Sequence, residues 1–311
     1  WQCTISIPDI MASRARRAAL VVLAELMVHC HAYLTPSSLP LCTVAALNPF
    51  SPSLLAAHAL RRDRSSGAST LCMVETVEGV AKNLEAVRTR IGELSAKCGI
   101  KEPRLVAVSK LQPDQLIVDA HAAGQKCFGE NYVKELVGKA PGLPADIEWH
   151  FIGMLQSNKA KTLVSGVPNL AVVESVHSAK TASALEKACV GAGRTQKLKV
   201  MIQVLTSGEE SKSGCDPEEC TVIAQHIKDD CPLLELVGLM TIGKFGDPNP
   251  EPYFQVLKQC RARVAQSLGV AEDALELSMG MSGDYDKAIV AGSTSVRVGT
   301  SIFGLRPPKS S

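Results

Sequence analysis

The chain has 311 residues, enough for one barrel-sized domain or two smaller ones. Hydrophobic content of 46% and charged content of 21% describe an ordinary soluble globular protein, and a net charge of +2 gives no argument for nucleic acid or a membrane as partner. The eleven cysteines are scattered, with no CxxC and no Cys/His cluster at metal spacing. That pattern points to unpaired thiols in a reducing compartment, each a small buried hydrophobe, and to no metal.

The first 72 residues differ from the rest. They hold six arginines, no lysine and three acidic residues, Asp9, Glu25 and Asp63, whereas the remainder carries 27 basic against 28 acidic side chains. Arg-rich, Ser-containing, acid-poor composition resembles an organellar transit peptide. A chain that opens on Trp1 also reads as translated upstream sequence, with Met73 as the start of the folded protein. Both readings stay open. Residues 1–72 are expected to form a disordered leader and 73–311 a single domain. Ala18–Val28 is apolar but too short for a membrane span, and it contains Glu25. The expected location is cytoplasmic, or mitochondrial or plastid if the leader is a transit peptide.

From Val74 the pattern alternates. Val77, Val80, Leu84, Val87, Ile91 and Leu94 recur at spacings of three and four, which predicts an amphipathic helix. Leu105–Ser109 reads as a buried strand. Pro113 and Gly124 bracket the next helix. Lys126–Gly129 and Ile147–Ile152 read as strands two and three, followed by helices Tyr132–Lys139 and Asn158–Val164. Leu170–Val173 is the fourth strand, and Ser178 caps a helix running to about Cys189. Leu198–Val204 is the fifth. Asp216-Pro-Glu-Glu219 has the cap, proline and first-turn charges of a helix start. Leu236–Met240 is the sixth strand, and Phe254, Leu257, Arg261, Val264 and Leu268 share a helical register. Leu275–Ser278 and Ser295–Val298 are the seventh and eighth.

Eight short apolar strands separated by helices imply a parallel sheet, and the count favours a closed (β/α)8 barrel of the TIM type. No G-x-G-x-x-G follows the first strand, which counts against a dinucleotide fold. Barrel enzymes place their chemistry at the C-terminal ends of the strands. Here those ends read Lys110, Asn131, Gly153, Glu174, the Thr206–Gly214 loop, Thr241, Ser278–Ser282 and Arg297–Thr300. Ser278-Met-Gly-Met-Ser282 and Val296-Arg-Val-Gly-Thr300 supply small residues and hydroxyls suited to cradling a phosphate. A lysine at the end of strand one adds an amine. Together they suggest a phosphorylated aldehyde held as a Schiff base, with pyridoxal 5'-phosphate (PLP) the obvious candidate. His150 reads as a satisfied core histidine, Glu174 as a structural anchor and Thr206–Gly214 as a mobile loop.

Seven motifs in order carry a resemblance over roughly Val74 to Arg306. They are Ala107-Val-Ser-Lys110, Phe128-Gly-Glu-Asn-Tyr132, Trp149-His-Phe-Ile-Gly153 with Leu155-Gln-Ser-Asn-Lys159, Thr206-Ser-Gly-Glu-Glu-Ser-Lys212, Gly238-Leu-Met-Thr241, Ser278-Met-Gly-Met-Ser282, and Gly292-Ser-Thr294 with Val296-Arg-Val-Gly-Thr300. The chain resembles the pyridoxal phosphate homeostasis proteins. The resemblance implies the barrel of the alanine racemase group, with Lys110 as the Schiff-base lysine and Arg297 facing the pyridine nitrogen. It implies that Ser278, Ser282, Gly299 and Thr300 hold the phosphate and that Asn131 and Met240 line the ring pocket. Two positions depart from the family pattern. Leu205 stands where Asn is usual, and Met154 where His or Pro is common.

The expected function is PLP binding for vitamin B6 homeostasis without turnover. The alternative is a PLP-dependent amino-acid racemase. Racemization needs an acid/base on each face of the carbanion. In the racemases that share this barrel the resemblance implies a lysine on one face and a tyrosine from an added β-domain on the other. The chain ends eight residues after Phe303, so no such domain is expected and a monomer is. An arginine at the pyridine nitrogen leaves the ring unprotonated and weakens the electron sink. Expected partners are PLP and, by transient contact, apo PLP enzymes.

Overall fold

A computed structural model describes residues 67–208, 213–244 and 246–305, with side chains from residue 79 onward. They lie within one compact unit, Asp63–Ser311. The expectation of a disordered leader falls on residues outside the described set, up to the start of the first helix.

That helix, α1 (Gly67–Cys98), begins ahead of Met73. The chain then alternates between strands and helices: β1 (Arg104–Val108), α2 (Asp114–Ala122), β2 (Cys127–Glu130), α3 (Val133–Lys139), β3 (Glu148–Phe151), α4 (Ala160–Gly166), β4 (Leu170–Val176), α5 (Ala179–Gly191) and β5 (Leu198–Gln203). It continues with α6 (Cys220–Asp230), β6 (Leu234–Met240), α7 (Glu251–Leu268), β7 (Glu276–Met281), α8 (Tyr285–Val290), β8 (Ser295–Val298) and the single turn α9 (Thr300–Phe303). All eight strands are parallel, each pairs with the next, and β1 pairs with β8. The (β/α)8 barrel read from sequence is present. Among the described residues no helix is long and apolar enough to cross a membrane.

Closure creates two apolar layers. The outer one lies between strands and helices and takes the large side chains Phe128, Trp149, Phe151, Leu185 and Leu257. The inner one is small, built on Val172, Met201 and Met240 inside the barrel. Helix α9 is too short to cover the seam between β8 and β1. The earlier helix α1 fills that slot, packing against α2, α8 and α9 with Val80, Leu84, Val87 and Ile91 buried. Asn83 donates to the Ile302 carbonyl (3.2 Å) and Arg88 to that of Ala123 (2.8 Å), so the seam is tied at both ends.

Two element boundaries differ from the expectation for physical reasons. Helix α6 starts at Cys220, not at Asp216. Asp216–Glu219 forms a closed turn instead: the Glu219 amide donates to the Asp216 carbonyl (2.9 Å) and the Asp216 amide to the Glu219 carboxylate (3.2 Å). Strands β4 and β7 run on to Val176 and Met281, past polar Glu174, Ser175 and Ser278. Glu174 and Ser278 are buried among polar partners, so their polarity does not end the strand.

At Gly238 the backbones of β6 and β7 come close together. A Cβ at this position would fall 2.3 Å from the Glu276 carbonyl oxygen, its partner across the β6–β7 register. Backbone cannot yield as a side-chain tip can. Gly238→Ala is expected to cost about 3 kcal/mol in denaturant melts; an unchanged midpoint would refute this packing.

Candidate functional site

The strand ends define a cavity of about 380 Å³ at the C-terminal mouth. Lys110 and Val108 reach it from β1, Asn131 from the end of β2, Ile152 from β3, Ile242 from β6, Ser282, Gly283 and Asp284 from β7, and Arg297, Gly299 and Thr300 from β8. Six of the eight residues singled out from sequence therefore share one cavity: Lys110, Asn131, Ser282, Arg297, Gly299 and Thr300. Ser278 and Met240 are not among its lining. Ser278 is fully buried beneath it, and Met240 packs in the inner apolar cluster with Met201 and Val172.

Lys110 sits in a tight turn. The Gln112 amide donates to the Ser109 carbonyl (3.1 Å), and Leu111 takes a positive φ of 59°. A branched residue in the left-handed region costs on the order of 1 kcal/mol or more, so the surroundings must enforce it. The Leu111 amide donates to the Glu135 carboxylate (2.6 Å). Lys139 bridges Glu135 (2.5 Å), Glu130 (3.1 Å) and the Ser109 carbonyl (3.2 Å). The Ser109 hydroxyl donates to Glu130 (2.8 Å). Burial pushes the Glu130 carboxyl above its ordinary range, against the pull of Lys139 and Ser109. The lysine at the mouth is thus held in its turn by a half-hidden ionic triad. Composition gave no sign of it; the clue was an acid inside the Phe128–Tyr132 motif with Glu135 and Lys139 at helical spacing behind it.

A second network underlies the cavity. Arg297, 4% exposed, donates to the Ser278 hydroxyl (2.6 Å) and the Thr241 carbonyl (2.7 Å). Ser278 donates to Glu174 Oε2 (2.5 Å), and Glu174 Oε1 meets His150 Nδ1 (2.6 Å). Arg297 lies 3.9 Å from Glu174. Burial alone would raise the Glu174 pKa. The His150 hydrogen bond and charge, then Arg297 and Ser278, outweigh it and hold this carboxyl below the usual range. Burial lowers the Arg297 pKa, with Glu174 and Asp284 opposing. Ser278 is therefore engaged as a relay between an acid and a guanidinium.

The loop after β7 is shaped by Asp284, which sequence reasoning did not single out. Its carboxylate accepts from the Met281 amide (2.6 Å) and its own amide donates to the Met281 carbonyl (3.0 Å), closing the turn that carries Ser282 and Gly283. Ser282 then accepts from the Gly299 amide (3.1 Å), which binds the β7 loop to the β8 loop. A Cβ on Gly299 would lie 3.1 Å from the Val108 carbonyl. Asn131 is fixed similarly, since a Cβ on Gly153 would fall 2.0 Å from its carbonyl oxygen. The Asn131 Oδ1 atom is buried without a hydrogen-bond partner. Leu205, at one family departure, is half-buried with its amide bonded to the Cys215 carbonyl (2.9 Å), and Met154, at the other, is exposed. The Thr206–Gly214 loop falls partly outside the described residues.

The family described as "Alanine racemase, N-terminal domain" matches residues 82–307. The human pyridoxal phosphate homeostasis protein is 45% identical over 240 residues, 73% of this chain and 87% of its own. The protein of that name from Pseudomonas aeruginosa is 41% identical over 234 residues, 73% of this chain and 96% of its own. The chain belongs to the pyridoxal phosphate homeostasis protein family. PipY of Synechococcus elongatus, solved with PLP bound, is 31% identical with a TM-score of 0.61, covering 72% of this chain and all of its own. Alanine racemase from Corynebacterium glutamicum, at 16% identity and a TM-score of 0.56 over 75% of this chain and 62% of its own, shares the fold.

Two expectations follow from the networks. Lys139→Met strands Glu130 and Glu135 without their cation and is expected to cost about 3–5 kcal/mol in denaturant melts; a loss below about 1 kcal/mol would place the triad at the surface in energetic terms. Glu174 has a folded pKa below its unfolded value, so the unfolded state binds more protons and stability rises with pH. Its contribution is present above the unfolded value of about 4.3 and is lost as pH falls through the folded one. The stability difference between wild type and Glu174→Gln should shrink across that acid window; a difference flat from neutral pH to acid unfolding would exclude this role.

Proposed function

We propose that this member of the pyridoxal phosphate homeostasis protein family binds PLP at the C-terminal mouth of the barrel, with Lys110 as the covalent attachment point and no turnover of its own. The observation that carries the reading is the meeting of Lys110, Arg297 and the Ser282–Gly283 and Gly299–Thr300 segments on one cavity. The residues present fit the group. A cavity near 380 Å³ suits a ligand of this size. Small residues and hydroxyls from two joined loops suit a phosphate. The orphaned Asn131 Oδ1 atom is a buried acceptor waiting for a donor.

When bound, PLP supplies an electrophilic aldehyde and an electron-withdrawing ring. The protein's part is binding and orientation. Lys110 offers a primary amine from a turn whose geometry is enforced from behind. Ser282, Gly299 and Thr300 hold the phosphate. Asn131 and Ile152 flank the ring. Arg297, pinned by Ser278 and Thr241, would face the pyridine nitrogen and would not hand it a proton. Ser278 and Met240 act from beneath, Ser278 by orienting Arg297 and Met240 by filling the barrel.

The absence of turnover is favoured by the same arginine, because an unprotonated ring stabilises a carbanion poorly. Tyr253, a tyrosine near this mouth, donates its hydroxyl to Asp247 (2.6 Å), itself a cavity residue, and is engaged as a structural donor. The protein is proposed to act as a monomer and to deliver PLP to apo-enzymes by transient contact.

The test is chemical. Protein incubated with PLP, gel-filtered and treated with borohydride should carry one stable pyridoxyl label on Lys110. Lys110→Ala should lose the label and the visible absorption band while still folding, as judged by circular dichroism. Labelling of another side chain, or none, would reject the attachment point. Racemization of a free amino acid that disappears in Lys110→Ala would replace the carrier reading with the enzyme.

A further inference from the structure

The N-terminal end of the barrel carries a second cavity, of about 420 Å³, unlike the first in chemistry. It is lined by charged side chains that include Arg104, Glu148, His150, Lys199 and Glu276. Arg104 and Glu276 form a two-point ion pair across it (2.5 and 2.8 Å). Nothing in the proposed function uses this end.

Three side chains at its edge hold donors of different kinds. Cys127 opens β2 and Glu148 opens β3, and the two are direct cross-strand partners. Glu148 and His150 are two residues apart on β3, so they project from the same face. A sulfur, a carboxylate oxygen and a ring nitrogen from these residues lie within 4.8 Å of one another. The Cys127 thiol donates to Glu148 Oε2 at 3.3 Å. His150 is 1% exposed, and its Nδ1 is held by Glu174 (2.6 Å). A metal-binding histidine is ordinarily fixed in this way, by a carboxylate on one ring nitrogen that leaves the other for the metal.

We propose that Cys127, Glu148 and His150 form a binding site for a divalent cation of the zinc type, with a fourth position open to the N-terminal cavity. The donor set argues for the class. One thiolate, one imidazole and one carboxylate make a borderline-soft site that suits zinc and disfavours magnesium and calcium. Ligands about 2.0–2.3 Å from one tetrahedral ion lie about 3.3–3.8 Å apart, so the trio needs to close by about 1.5 Å at most. Charge argues for the dication. In the metal-free site the Cys127 thiol keeps its proton and points it at Glu148 Oε2. Coordination replaces that proton with the cation and releases it to solvent. Two anions then face two positive charges. Arg104 stands nearby, with its own charge matched by Glu276. The sequence shows no linear metal spacing because the donors meet only through the β2–β3 register.

The experiment uses the full chain, stripped of metal and titrated with Co²⁺ as a visible stand-in for Zn²⁺. One equivalent should produce a thiolate-to-cobalt charge-transfer band in the near ultraviolet. Zn²⁺ should erase it and raise the melting temperature. Cys127→Ser should remove the band, and Glu148→Gln should weaken uptake at least tenfold. Glu148 is exposed, so its variant keeps the test valid if the cysteine variant misfolds. His29-Cys30-His31, outside the described residues, offers ligands of its own. A band unchanged in Cys127→Ser would place the cation there or elsewhere and overturn the proposal. So would the lack of any thiolate band at millimolar Co²⁺, or a Glu148→Gln titration identical to wild type.

Discussion

Everything at the mouth rests on how Arg297 is buried. A guanidinium inside a barrel loses its water and is tolerated only when opposite charge and hydrogen-bond acceptors surround it. Here the acceptors come from three strands. Ser278 on β7 and the Thr241 carbonyl just beyond β6 accept its hydrogen bonds, and Glu174 on β4 supplies the counter-charge. Glu174 in turn needs His150 on β3. Each group is satisfied only when the strands are in register around a closed ring. Barrel closure and charge neutralisation are therefore one event. Such an ionic set contributes little net stability compared with an apolar filling, since desolvation offsets most of the attraction. What it contributes is direction: with NH1 and NH2 both committed, Arg297 has a fixed orientation at the cavity floor.

The same logic operates at the rim. Lys110 is exposed enough to meet a ligand, yet its turn is not free to move. Leu111 is held in a costly conformation by Glu135, and Glu135 is held by Lys139, which also answers to Glu130 and Ser109. The support comes from α3 and the ends of β1 and β2, behind the turn. A reactive amine needs accuracy more than rigidity of its own side chain, and the strained backbone beneath it supplies that.

The barrel was legible because its signals are local and repeated. Apolar runs of strand length alternate with amphipathic helices, and Ser178 caps α5 as its sequence suggests, accepting from the Thr181 amide at 3.2 Å. Strand ends were less legible. Apolarity marks a strand in sequence, but Glu174 and Ser278 face partners across the barrel, and a polar residue there continues the strand. Ser278 shows the same limit at the level of the site. Its motif fits a phosphate cradle, and in the structure its buried hydroxyl is bonded to Arg297 and Glu174. Met240 likewise belongs to the inner apolar plug. Asp284, Glu130, Lys139 and Glu135 went unnoticed because each acts through backbone or through another charged residue. Such roles depend on neighbours from other strands, which no single segment can reveal.

The inner plug of Val172, Met201 and Met240 is small, and the polar chain beside it runs nearly the depth of the barrel. His150 borders the lower cavity and Arg297 the upper one, and the two oxygens of Glu174 serve one end each. The two oxygens share one delocalised charge, so the bonds to His150 and Ser278 are electrostatically coupled. A change at His150 therefore reaches Arg297 through one carboxylate and one serine hydroxyl. The ends of the barrel are distinct in chemistry but not independent in charge. The carboxylate that makes the buried arginine tolerable is also the group that ties the upper cavity to the lower one.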